Sequence, residues 1–178
     1  MSFPFHTLQE FTAAQENDGI FSEIEGLIEG LNVKKLVALL GSNRALRRVY
    51  VKRWFGEVGR LCNQKIKLKI SRTPVKPYMT ESGEVGLSRT DFKRTSYLFF
   101  ASAHEAAHFL LMRDGEYDVL KALDREYPKD EMRSPIEYCA NLLTLALFER
   151  CLNAEKREGR RQKISWCIEQ LKLQSEQK

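Results

Sequence analysis

The chain has 178 residues, of which 43% are hydrophobic and 30% charged, with a formal net charge of +5. That length suits one domain with a buried core, and the balance excludes a collagen-like, disordered or disulfide-scaffold composition. No apolar run is long enough for a membrane-spanning helix, and the start Met1-Ser2-Phe3-Pro4-Phe5-His6, followed by Glu10 and Glu16, lacks the basic and apolar regions of a signal peptide, so the expected location is cytoplasmic.

In chain order, residues 7–16 and 20–30 predict short helices separated by a turn at Asn17-Asp18-Gly19. Gly26 and Gly30 weaken the second of these. A stronger helix is predicted from about Ser42 to Cys62. Leu46, Val51, Trp54, Phe55, Val58 and Leu61 there follow a 3.6-residue period, with Ser42 or Asn43 as cap. The period then changes to two. Lys65-Ile66-Lys67-Leu68-Lys69-Ile70 alternates lysine with aliphatic residues and predicts a half-buried strand whose lysines protect an edge. Residues 77–88 predict a hairpin turning near Glu81-Ser82-Gly83, with Val85–Ser88 as the return strand. Thr95 to Met112 predicts a buried helix stopped by Asp114-Gly115. A short helix at 117–126 is broken by Pro128. A second apolar helix opens at Ser134-Pro135 and runs to about Asn153, and a basic helix covers 160–174. The pattern is α+β: mainly helical, with a small antiparallel sheet before the helix at 95–112. It divides into N-terminal helices (1–62), a core (63–153) and a C-terminal basic helix (154–178).

His104-Glu105-Ala106-Ala107-His108 is the sharpest motif. Residues four apart on a helix differ by about 40° around the axis, so both imidazoles share one face. Two neutral ring nitrogens on one face suit a zinc ion, and Glu105 beside them can take a proton from water polarised by that cation. Burying two unpartnered imidazoles in an apolar helix is costly, and a metal removes that cost. The reading that needs no metal is a helical domain with two merely buried histidines. Only three histidines occur in the chain, and His6 lies near the terminus.

A catalytic zinc needs a third protein ligand. Glu137 opens the next apolar helix, and Asn141 follows on the same face, placed to hydrogen-bond a ligand. Yet Ser134-Pro135-Ile136-Glu137 also fits a capping box, in which the glutamate turns back to its own backbone. On spacing alone the two roles stay open, and Asp114, Glu116, Asp118 and Glu131 remain further candidates. For stabilising an oxyanion, Tyr97, Tyr117, Tyr127 and Tyr138 are candidate donors. Val85–Ser88 is expected to hold an extended substrate as an edge strand.

The segment Gly83–Asn141, about a third of the chain, resembles the ImmA/IrrE-type zinc metallopeptidases. The likeness rests on Gly83–Ser88, on Ala103-His104-Glu105-Ala106-Ala107-His108-Phe109-Leu110-Leu111, and on Glu137-Tyr138-Cys139-Ala140-Asn141. It implies a minimal gluzincin with His104, His108 and Glu137 as ligands and Glu105 as base. Ala107 stands where the family usually has glycine, Leu111-Met112 where another histidine often follows, and Leu142–Phe148 replaces its usual pattern after the asparagine, which makes this a distant relative. The expected function is zinc-dependent hydrolysis of a peptide bond in a specific intracellular protein, such as a transcriptional repressor. The alternative is a catalytically inactive, zinc-stabilised binding module that docks a regulatory protein or DNA.

Residues 44–76 carry eleven Lys/Arg and one acid, Glu57, whereas residues 1–43 carry six acids and two bases. Such a segment can steer an acidic partner, although a solvated basic face is the commoner outcome and nucleic acid is not favoured. Cys62, Cys139, Cys151 and Cys167 form no C-x-x-C pair and are expected to be packed free thiols.

Overall fold

The computed structural model describes residues 6–16, 19–113, 116–126 and 134–176. The helices are α1 (Leu8–Glu16), α2 (Gly19–Gly26), α3 (Lys34–Val37), α4 (Arg47–Leu61), α5 (Thr95–Met112), α6 (Glu116–Glu126), α7 (Pro135–Ala154) and α8 (Glu158–Glu176). The strands are β1 (Lys67–Ser71), β2 (Tyr78–Met79) and β3 (Glu84–Ser88). The architecture is the expected one, mainly helical with a small sheet ahead of α5. The turn at Asn17-Asp18, the stop at Asp114-Gly115 and the break at Pro128 lie outside the described residues.

α5 matches its predicted span because both of its signals are strong: an unbroken apolar run and no internal breaker. It is apolar over most of its surface because α3, α4, α6, α7, α8 and β2 all pack against it. Phe99 stacks on Phe148 of α7 at 5.1 Å, and Trp54 Nε1 of α4 donates to the Ser102 carbonyl at 2.9 Å. One continuous core runs from Phe11 to Leu171.

The sheet has the order β1-β3-β2. β2 and β3 form the expected antiparallel hairpin, with Tyr78 opposite Gly86. Gly83 sits in its turn at φ +85°, and an added Cβ would meet the Lys65 carbonyl at 2.8 Å. β1 pairs with β3 in parallel from Lys67–Glu84 to Ser71–Ser88, so the sheet is mixed rather than wholly antiparallel. β1 is an edge, with Lys67 and Lys69 exposed and Leu68 and Ile70 half-buried.

Two further expectations are corrected. α4 begins at Arg47, five residues after Ser42. Ser42 Oγ instead donates to the Leu39 carbonyl, closing the 3-10 turn Ala38–Gly41, and Asn43 Oδ1 accepts from the Leu46 amide in a turn before the helix. Both polar side chains are used locally, as short hydroxyl and amide groups often are. Val85–Ser88 is the central strand, not an edge: β1 takes one side of it and β2 part of the other.

Candidate metal centre

α5 and α7 lie side by side, and their facing side chains make the site. The four-residue spacing sets the His104 and His108 rings edge to face, with centroids 4.9 Å apart and Nε2 atoms 3.3 Å apart. Glu137 reaches them from the first turn of α7, with Oε2 3.3 Å from His104 Nε2 and Oε1 3.5 Å from His108 Nε2. Among the described residues this trio is the group able to hold a metal ion. Glu137 meets the two rings with different oxygens, and one ligand atom from each of the three residues lies within 4.8 Å of the others. A tetrahedral zinc with bonds of about 2.0–2.1 Å would draw them to edges of about 3.3–3.4 Å.

The serine half of the expected capping box forms, while the Glu137 carboxylate turns to the imidazoles rather than back to its own backbone. Ser134 is the N-cap, and its Oγ accepts from the Glu137 amide at 3.2 Å with Pro135 at the first helical position. The Glu137 carboxylate is half-exposed and turned to the imidazoles. The helix start therefore fixes the backbone of Glu137 and leaves its carboxylate for the site.

The charges suit cation binding. The hydrogen bond from His104 lowers the Glu137 pKa against the opposing effect of burial, which keeps the carboxylate ionised. Burial, aided by His104 and opposed by Glu137, lowers the His108 pKa to about 4, so its ring is neutral. Glu105 is 4% exposed, and burial raises its pKa to about 7, with His104 opposing and Glu137 adding to the shift. His104 Nδ1 is buried with no hydrogen-bond partner among the described residues.

A cavity of about 720 Å³ opens over the trio, and Glu105 lines it. Tyr97 and Tyr117 also line it, and burial raises the pKa of both phenols, keeping them protonated donors. Tyr138 is not a lining residue; its ring packs edge-on against Phe11 at 5.6 Å. Tyr127 lies outside the described residues. Asn141 is half-buried, and among the described residues it makes no hydrogen bond to either imidazole. Asp118 is exposed on α6 and does not join the trio, while Asp114 and Glu131 lie outside the described residues. His6 is exposed at the start of α1.

Sequence reasoning missed Lys76, Tyr78 and Asp124 as cavity residues. Tyr78 donates to Glu84 Oε1 at 2.9 Å, and its ring lies over Gly86, where any Cβ would collide with it. The one hint in the sequence was a glycine inside a strand, which often marks such a close approach. Cys139, Cys151 and Cys167 are buried, and burial raises all three thiol pKa values, to about 12 for Cys167, so none is a ready nucleophile.

Among the described residues no helix is long and apolar enough to cross a membrane. No family model, curated protein or solved structure significantly matches the chain.

Proposed function

We propose that this protein is a zinc-dependent peptidase in which His104, His108 and Glu137 hold the ion and Glu105 is the general base. The observation that carries the reading is the convergence of three donor side chains at 3.3–3.5 Å, beside the buried Glu105 carboxylate in the wall of the same cavity. The motif's likeness to the ImmA/IrrE-type metallopeptidases supports the same roles. A bound zinc ion supplies Lewis acidity, which lowers the pKa of water and polarises a carbonyl. Glu105, beside the two imidazoles, would take the proton from the attacking water and return it to the leaving amine. Tyr117, on the cavity wall, would donate to the oxyanion.

A hydrogen-bonded trio with no ion makes the same contacts, so the test begins with metal. Purified protein should carry about one zinc per chain, and His104→Ala should lose it. Zinc-loaded protein should cleave a polypeptide in a chelator-sensitive way, and Glu105→Gln should keep the zinc and lose the cleavage. Metal-free purified protein that takes up no added zinc would end this proposal. Cleavage that persists in Glu105→Gln would remove the proposed base.

A further inference from the structure

A second groove, of about 1100 Å³, adjoins the site, and Lys76 and Tyr97 belong to the walls of both. Its lining combines Arg47 of α4, Lys76 from the β1–β2 connection, Lys93 and Arg94 ahead of α5, and Trp166 of α8. None of the four cations has an ion-pair partner among the described residues. Arg47 Nη1 donates to the carbonyls of Phe92 and Lys93, which orients the guanidinium without neutralising it. The one acid in the lining, Asp91, is 5% exposed, and its Oδ2 accepts from the Ser88 amide at 2.6 Å. The groove also takes in the start of α5, whose first turn has no acidic residue and whose N-cap Arg94 makes no side-chain cap. That helix end adds partial positive charge to the four cations. Of the six large hydrophobic residues exposed among those described, three line this groove: Val75 at 37%, Tyr97 at 44% and Trp166 at 48%. Cations together with exposed aromatics form the kind of surface that dominates binding energy at interfaces.

Resting on the peptidase reading above, we propose that this groove docks an acidic stretch of the substrate polypeptide, to one side of the bond presented to the His104/His108 pair. Tyr97 lies seven residues before His104 on α5, and Arg94, the N-cap of that helix, ten residues before it, about 10 and 15 Å along the axis. An extended chain covers that in about three to five residues, so the acidic positions start about three residues from the scissile bond. A single-stranded nucleic acid fits less well, because two aromatics in one groove make a short stacking track.

The test uses the full chain and fluorescein-labelled peptides of roughly ten residues with four glutamates, against the same peptides with glutamines. Anisotropy should show about a tenfold preference for the acidic form, lost in Lys93→Glu/Arg94→Glu and within about twofold of wild type in Arg48→Glu/Lys52→Glu, which changes net charge equally outside the groove. Equal loss in both variants, no acidic preference at low salt, or tighter binding of a single-stranded oligonucleotide would overturn the proposal. Binding needs no metal or turnover, so the two readings separate. Acid-selective binding without cleavage by zinc-loaded protein keeps the groove and sinks the peptidase. Cleavage indifferent to the acidic residues keeps the peptidase and sinks the groove.

Discussion

Glu105 shows how a site residue trades stability for chemistry. Its folded pKa of about 7 is above the ordinary 4.5, so the folded chain binds more protons than the unfolded one between those values. Its burial therefore adds no pH-dependent cost below about pH 4.5, destabilises progressively as pH rises from 4.5 towards 7, and adds a constant cost above that. Glu105→Gln should stabilise the metal-free protein at pH 8 by about 2 kcal/mol and leave it unchanged near pH 4. A thermal melt of both forms at the two pH values checks this, and equal midpoints at pH 8 would contradict it. His108 works the other way: with its folded pKa at about 4, the native state loses stability as pH falls from 6.5 towards 4. These shifts were not legible in the sequence, since they depend on how deeply α5 is covered. The identities of His104, Glu105 and His108 were, because one helical period fixes their mutual placement.

At the scale of elements, one local device positions the site and another fastens α3 to α4. The Ser134 cap starts α7 with Glu137 in its first turn. Ser134→Ala should cost about 1 kcal/mol of stability and weaken zinc binding severalfold, because the ligand's backbone loses its anchor. Chemical denaturation and a zinc-competition titration read the two effects separately, and unchanged zinc affinity would show that the cap does not position Glu137. Farther off, Glu57 of α4 is buried, bonded to Lys35 of α3 at 2.5 Å and to Arg60 at 2.6 Å. The Arg60 hydrogen bond, helped by Lys35 and the Asn32 amide, outweighs burial and holds the Glu57 pKa at about 2. That stabilisation is full above about pH 4.5 and lost as pH falls towards 2. Glu57→Gln should therefore cost about 2 kcal/mol at pH 7, discounting for the exposed cations, and the gap from wild type should close by about pH 2 in urea titrations. The long helices were readable from their apolar period. α3 and the 3-10 turn Ala38–Gly41 were not, because four residues are too few to show a period. The parallel β1–β3 pairing was hidden because a hairpin signal says nothing about where a third strand joins.

Across the whole molecule, the trio ties α5 to α7, and both belong to the one core. An ion bound only by the native state adds its binding energy to folding. At a zinc concentration of about 100 times its dissociation constant, the unfolding free energy should rise by about 2.7 kcal/mol, and a chelator should reverse the gain. Scanning calorimetry with and without metal reads this directly, and no shift would mean that the trio does not bind zinc in the native state. The sequence showed the basic bias of residues 44–76 but not its disposition. Arg47 and Lys76, at opposite ends of that segment, meet in one groove, while Arg48, Lys52, Lys65 and Lys67 stay on open surface. Tertiary contact makes that division, and no local pattern records it.

The two tryptophans lie in unlike surroundings, with Trp54 fully buried and bonded to the Ser102 carbonyl and Trp166 48% exposed. Their emission should therefore split into a blue component from the indole beside the histidine helix and a red, quencher-accessible component from the groove. With Trp166→Phe the remaining fluorescence would follow the seating of α5 alone, and with Trp54→Phe it would follow occupancy of the groove. The chain thus carries two optical reporters of its own, one for each of the surfaces on which its activity is proposed to depend.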